Sequence, residues 1–211
     1  MTAAPAKIRA LVVEDSYLMR LGTVTLLRTQ SDIEVVGDVG DATEGLALYR
    51  RERPDVCVVD LRLPGMDGVA LTTALRAEAP PAEILILSYY DGDEDVFRAL
   101  RAGARGYLTK GVNASEFLTA VRTVAGKERY LPTALAGRLA DRMLQPSLSL
   151  RELQVLELIF RGGSNRDIAK ALSLAERTTG MYVGKILEKL DARSRTEAVS
   201  IALARGILRP K

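Results

Sequence analysis

Histidine is absent from the chain of 211 residues, and Cys57 is its single cysteine. Without histidine the chain cannot carry a Ser-His-Asp triad, a Cys-His pair or a zinc site with imidazole ligands. With one cysteine it cannot form an internal disulfide, and the apolar neighbours of Cys57 indicate a place in the core. Any bound metal should therefore be a hard cation held by oxygen atoms.

Long apolar segments are also missing. No apolar run approaches the roughly 18 residues that a membrane-spanning helix needs. The first apolar run is short and ends in Glu14 and Asp15, which is not the pattern of a signal peptide. These features predict a cytoplasmic protein with no membrane partner, and the length predicts one or two domains of roughly 100–200 residues each.

Charge is divided unevenly along the chain. From Pro146 to Lys211 there are 12 Lys and Arg against 7 Asp and Glu, a net charge of +5, whereas the preceding part carries −2 and the whole chain +3. A basic C-terminal part behind a slightly acidic N-terminal part indicates a polyanionic partner for the C-terminal part.

The stretch VCVVDLRLPGMDG, from Val56 to Gly68, combines an apolar run with an acid. Four apolar residues run directly into Asp60, and a turn containing Pro64 and Gly65 follows. A short apolar run bounded by turn residues is typical of a strand buried on both faces. The carboxylate of Asp60 then lies where that strand ends, at the edge of an open α/β sheet where ligands collect.

Strand and helix patterns alternate five times between Ala10 and Ala125. This alternation predicts an α/β fold, with a parallel sheet, right-handed crossovers and helices on both faces. After Gly126 the alternation stops, and residues 127–147 are interpreted as a partly helical linker. From Ser149 onward only four helical patterns occur, and the tight turn Ser173–Ala175 between the second and third indicates a helix-turn-helix.

Polar residues end each of the four predicted strands that bear on a possible site. They are Glu14 and Asp15, Asp60, Ser88, and Thr109 and Lys110. Because the carboxyl ends of parallel strands share one edge, the three acids crowd together and raise one another's pKa values. A divalent cation or Lys110 must offset that charge, and Mg²⁺ suits carboxylate and phosphate oxygens. Such a site can stabilise a phosphoryl group on a carboxylate.

Residues 1–126 resemble the receiver domain of two-component signalling, which has a flavodoxin-like, doubly wound (βα)5 fold. The motifs that carry the resemblance are VVEDS (Val12–Ser16), VVDLRLPGMDG (Val58–Gly68), ILILSYY (Ile84–Tyr90) and GARGYLTKG (Gly103–Gly111). The resemblance implies a Mg²⁺ cofactor, a sensor histidine kinase as partner, and a homodimer that forms on phosphorylation.

The same resemblance implies a role for each acid at the sheet edge. Asp60 would be the phosphoacceptor. Asp15 would bind Mg²⁺ directly, Glu14 would act mainly through water, and the backbone carbonyl of Arg62 would complete the coordination.

Three further residues take roles from the resemblance. Ser88 would hydrogen-bond the phosphoryl group, and Lys110 would pair with it. Tyr107 would be an aromatic switch that moves inward together with Ser88 on phosphorylation. Gly111 follows Lys110 where the family often has proline.

Residues 148–211 are similar to the LuxR-type helix-turn-helix of the NarL/FixJ response regulators, an all-α four-helix DNA-binding domain. The matching segments are LSLRELQVLELIFRGGSNRDIAKALSLAERT (Leu148–Thr178) and KILEKLDARSRTEAV (Lys185–Val199). Apolar residues of Glu176–Leu190 recur at helical spacing, so the opposite face would enter the major groove of promoter DNA. Asn165 is the predicted N-cap of the preceding helix. Candidate DNA contacts are Arg177, Thr178, Met181, Tyr182 and Lys185, with Arg166 and Arg195 on phosphates.

The recognition segment departs from the family pattern Ser-x-x-Thr-Val-Lys-x-His-Val. Ala175 replaces the capping serine, which is expected to cost about 0.5–2 kcal/mol. Gly180 replaces a lysine, Tyr182 replaces a histidine, and Gly184 occupies another position that often faces DNA. Each glycine costs the helix about 0.8–1 kcal/mol relative to alanine and removes a possible contact. Fewer side chains than in the family are therefore expected to read bases.

The sequence leaves three functions open. The first is a transcription regulator in which a phosphoryl group on Asp60 alters dimerisation and DNA binding. The second is an atypical regulator whose C-terminal domain has lost base-specific DNA binding and serves as a protein-interaction module. The third, a phosphatase of the haloacid dehalogenase type, would need a second aspartate where Arg62 stands, so the chain is not expected to be an enzyme.

Overall fold

The computed structural model describes residues 6–78 and 81–208. The chain forms two compact units. The first runs to Ala136, apart from Gly92–Asp95, which group with the second, and the second begins at Gly137. Among the described residues, no helix combines the length and the apolar character that crossing a membrane requires.

The first unit is built on a five-stranded sheet. Its strands are β1 (Ile8–Val13), β2 (Ile33–Val39), β3 (Val56–Asp60), β4 (Ile84–Ser88) and β5 (Gly106–Thr109). The helices that follow them in turn are α1 (Tyr17–Arg28), α2 (Ala42–Glu52), α3 (Gly68–Arg76), α4 (Asp93–Arg101) and α5 (Ala114–Ala125). The strand order is β2-β1-β3-β4-β5, and all neighbours are parallel. This confirms the predicted flavodoxin-like, doubly wound α/β fold.

The apolar runs of the sequence form the centre of the sheet. Every residue of β3 and β4 is buried, as expected for strands covered on both faces. Val58 and Leu85 belong to the same apolar cluster as Phe117 and Val121 of α5. Cys57 is fully buried, and burial raises the pKa of its thiol, which confirms the predicted place in the core.

The chain after α5 adds a short pairing at the edge of β5. The amide of Tyr107 donates to the carbonyl of Tyr130 at 3.2 Å, and the amide of Tyr130 donates to the carbonyl of Arg105 at 3.0 Å. Gly106 forms a parallel bridge with Tyr130, and a Cβ at Gly106 would lie 3.2 Å from the Tyr130 carbonyl. The sequence predicts only a linker here, because a single bridge leaves no repeating pattern. Helix α6 (Thr133–Met143) follows.

The second unit contains four further helices, which confirms the predicted all-α domain. They are α7 (Leu150–Phe160), α8 (Asn165–Ala171), α9 (Glu176–Leu190) and α10 (Arg195–Ala204). Val183 and Ile186 of α9 are buried in a core shared with Val155 and Ile168, so the predicted apolar stripe of α9 faces inward.

Side-chain caps fix the starts of α7 and α8. Ser149 forms a capping box with Glu152, and the carboxylate of Glu152 also accepts a hydrogen bond from Lys189 Nζ at 2.7 Å. Ser164 caps α8 in the same way with Asp167. The prediction that Asn165 caps this helix is wrong, since the Ser164 hydroxyl already accepts from the N3 amide and Asn165 is the first helical residue.

Candidate functional site

The acidic residues of the first unit meet where β1 and β3 end. Val13 lies beside Val59 in the parallel register, so the residues that follow, Glu14 and Asp60, are also neighbours. One carboxylate oxygen from each of Glu14, Asp15 and Asp60 lies within 4.8 Å of the others. Glu14 and Asp60 are only 3% and 5% exposed, whereas Asp15 is exposed. The structure therefore brings the three predicted acids together at one edge of the sheet.

Lys110 lies between the two buried acids. Its Nζ is 2.6 Å from Glu14 Oε2 and 3.1 Å from Asp60 Oδ2. Burial acts to lower the pKa of Lys110, but the contacts with Glu14 and Asp60 outweigh burial and raise this pKa. Burial, aided by the charge of Asp60, raises the pKa of Glu14 in spite of Lys110. The ammonium group is thus held charged beside the Asp60 carboxylate.

Ser88 and Tyr107 lie deeper in the same site. Both are fully buried. The Tyr107 hydroxyl donates to the carbonyl of Tyr90 at 2.6 Å, and Ser88 Oγ accepts from the Tyr90 amide at 3.1 Å. Burial raises the pKa of Tyr107 to about 12. Tyr107 is therefore buried in this structure, and its inward movement on phosphorylation stays a prediction.

Two tyrosines belong to this site although no sequence pattern assigns them a role. The Tyr89 ring centroid lies 4.9 Å from Lys110 Nζ. The Tyr90 ring centroid lies 5.4 Å from the guanidinium carbon of Arg62. The signal available in the sequence is an aromatic pair directly after the strand-ending serine.

The three carboxylates fit a hard divalent cation. Carboxylate oxygens and water are the ligands that Mg²⁺ takes in proteins, and Glu14, Asp15 and Asp60 offer one oxygen each within a short span. The exposed side chain of Asp15 gives solvent access on one side. A cation here would share Glu14 and Asp60 with Lys110.

In the second unit, α9 presents one exposed face. Arg177, Met181, Gly184, Lys185 and Glu188 are all exposed on it. The helix starts at Ala175, which makes no side-chain cap hydrogen bond, as the sequence predicts. Three of the candidate DNA contacts therefore share an accessible surface.

The other four candidates are placed differently. Thr178 and Tyr182 are half-buried, and Tyr182 packs against the core of the unit. Arg166 is exposed on α8. Arg195 is half-buried, and its guanidinium donates to Asn165 Oδ1, which brings it next to the start of α8.

Two protein families match the chain. The response regulator receiver domain matches residues 10–122. The luxR family of bacterial regulatory proteins matches residues 146–202. The two matches cover the sheet unit and the helical unit respectively.

Known proteins match the chain along nearly its whole length. The response regulator protein VraR of Staphylococcus aureus is 34% identical over 206 residues, covering 95% of this chain and 99% of VraR. The crystal structure of the response regulator ChrA of a heme-sensing two-component system has a TM-score of 0.57 at 33% identity, covering 96% of this chain and 100% of ChrA.

A structure of the response regulator RcsB with DNA shares the fold. Its TM-score is 0.67 at 20% identity, covering 94% of this chain and 98% of that one. The receiver match, the luxR match and the full-length likeness to VraR agree with the geometry of the two units. The chain belongs to the response regulators of two-component systems, as a transcription regulator with a receiver domain followed by a LuxR-type DNA-binding domain.

Proposed function

We propose that Asp60 accepts a phosphoryl group from a partner sensor histidine kinase. The observation that supports this most directly is the ion pair of Asp60 with Lys110 inside the three-carboxylate group. An ionised carboxylate held beside a fixed cation is a suitable nucleophile for phosphoryl transfer.

In the proposed reaction a carboxylate oxygen of Asp60 attacks the phosphorus of the kinase's phosphohistidine. The phosphorus–nitrogen bond breaks, and the imidazole leaves with a proton from water. Lys110 balances the charge of the transferred group, and the Ser88 hydroxyl donates to one of its oxygens. Mg²⁺ held by Glu14, Asp15, Asp60 and the backbone carbonyl of Arg62 would supply further positive charge to the phosphoryl oxygens.

The acceptor is tested by incubating the full chain with acetyl phosphate and Mg²⁺. Asp60→Asn should abolish hydroxylamine-sensitive incorporation of a phosphoryl group, measured by mass spectrometry. Asp41→Asn is the matched control, because Asp41 caps α2 and asparagine caps helices about as well. Incorporation that survives in Asp60→Asn would show that another residue is the acceptor. Steady hydrolysis of a generic phosphate ester by the wild-type protein, abolished in Asp60→Asn, would instead support a phosphatase.

We further propose that phosphorylation favours a homodimer by rearranging hydrogen bonds around Tyr90. Ser88 and Tyr107 both bond to the backbone of Tyr90, so a phosphoryl group that engages Ser88 changes the surroundings of Tyr107. Because Tyr107 is already buried, the proposed shift does not need an exposed ring to move inward. Sedimentation velocity should show a dimer with beryllofluoride and Mg²⁺, and a monomer for Asp60→Asn under the same conditions.

We propose that two LuxR-type domains then bind paired half-sites on promoter DNA in the cytoplasm, where that DNA is available. The net charge of +5 from Pro146 onward supports a polyanionic partner. On this proposal Arg177, Met181 and Lys185 of the exposed α9 face reach base edges. Thr178 and Tyr182 border that face, and Arg166 and Arg195 contact phosphates. The luxR match disfavours the alternative, a domain that only binds protein.

A salt titration of DNA binding distinguishes sequence-specific DNA binding from the alternative of a protein-interaction module. Sequence-selective binding at physiological salt is expected, with Arg166→Gln, the loss of an exposed phosphate contact, reducing the salt slope by about 1. Arg28→Gln, an exposed change in the receiver, is the control and should leave the slope unchanged. Weak binding without selectivity that vanishes as salt rises would support the protein-interaction module instead.

A further inference from the structure

The exposed face of α9 carries two cationic side chains, one helical turn before and one helical turn after an apolar side chain. Arg177 and Lys185 lie four residues before and four residues after Met181, so all three follow one side of the helix. Met181 is 59% exposed. This methionine is therefore presented outward rather than used in the core, although the helix has a buried stripe of its own.

The glycines beside Met181 are not required by packing. A Cβ at Gly184 would meet nothing within 4 Å, and a Cβ at Gly180 would meet only Asn165 Nδ2 at 3.8 Å. A Cβ is therefore accommodated at both positions. As glycines, they add no donor or acceptor side chain at these two positions beside Met181 and allow the helix backbone to approach a ligand closely.

We propose that Met181 reads the 5-methyl group of a thymine in the operator, as the specificity-determining contact of α9. This inference rests on the proposed entry of α9 into the major groove. The thymine methyl is the one apolar group that the base pairs present there. A flexible, polarizable thioether adapts to such a group, and Gly180 and Gly184 contribute no polar side chain that would compete for this contact.

The test uses the full chain, activated with beryllofluoride and Mg²⁺, and a duplex selected from random sequence. Each thymine of that duplex is replaced singly by deoxyuridine, which removes only the methyl group. At one thymine per half-site, the replacement should weaken the binding of the wild-type protein about three- to fivefold. This factor corresponds to the free energy of burying one methyl group. Met181→Ala should bind both duplexes equally at that position.

Met143→Ala is the matched control, because Met143 is also an exposed methionine, 67% exposed and outside α9. It should keep the full dependence on the thymine methyl. If deoxyuridine is tolerated at every position, or weakens Met181→Ala as much as wild type, the inference is overturned while the proposed function stands. If no duplex is enriched, the proposed DNA reading fails and the inference falls with it.

Discussion

The carboxyl edge of the receiver sheet and the exposed face of α9 differ in how far their functional groups are buried. At the sheet edge the functional groups are buried and bonded to one another, and the side chain of Lys110 is only 2% exposed. On α9, Arg177, Met181 and Lys185 are exposed to solvent, and a Cβ at Gly184 would meet open space. A change at the sheet edge must therefore alter stability as well as function. A change on α9 can alter recognition with little effect on the fold.

The largest effect is expected from removing the shared cation. Lys110→Met leaves the carboxylates of Glu14 and Asp60 buried without their partner, which should lower the free energy of unfolding of the receiver by about 3–5 kcal/mol. Urea unfolding measures this, and added Mg²⁺ should restore part of the loss. Lys185→Met, on the exposed face of α9, should stay within about 0.5 kcal/mol of wild type. Equal losses of stability in Lys110→Met and Lys185→Met would contradict the difference in burial between the two regions.

A smaller effect on stability is expected from replacing a glycine by alanine. Its sign should be opposite in the two regions. A Cβ at Gly68 would lie 2.2 Å from the backbone oxygen of Asp60, so Gly68→Ala should destabilise the receiver by about 1–3 kcal/mol. Gly184→Ala meets open space and should stabilise the helical domain by about 0.8–1 kcal/mol. Thermal and urea unfolding give both values. A stable Gly68→Ala variant would contradict the close approach of α3 to β3.

The smallest effect concerns the pH dependence of the helical domain. Burial acts to raise the pKa of Glu152, but hydrogen bonds from Lys189 and Ser149 outweigh burial and lower it below 4.5. This carboxylate therefore stabilises the fold above pH 4.5, and its contribution is lost as the pH falls through the lowered value. Glu152→Gln should flatten that part of the stability profile, measured by urea unfolding across acidic pH. Glu188→Gln controls for the loss of one exposed carboxylate, and a profile unchanged in Glu152→Gln would show that the pair with Lys189 is not coupled to folding.

The sequence predicts elements and their shared edge well, because both follow from local patterns. The apolar run before Asp60 and the strand-ending Ser88 and Lys110 are enough to gather one site in a parallel sheet. The same reasoning cannot predict that Glu14 is buried against Lys110 while Asp15 is exposed. The two acids are consecutive and follow the same strand, so only their contacts in the folded protein distinguish them.

Cap choice and edge pairing are less predictable for a similar reason. Ser164 and Asn165 are both good N-caps, and the box with Asp167 decides between them only once the helix is formed. The bridge at Tyr130 depends on one backbone contact across the sheet edge. The roles of Tyr89 and Tyr90 depend on which cations lie above their rings.

The pairing of Tyr130 with β5 has a practical consequence for how the receiver is studied alone. A fragment that ends at residue 126 would lose the acceptor of the Tyr107 amide and the donor to the Arg105 carbonyl. Unpaired amides and carbonyls at a sheet edge invite pairing with another chain. Self-association of such a fragment would then report an uncovered strand rather than phosphorylation, whereas a fragment that continues to Ala136 keeps the two hydrogen bonds with Tyr130.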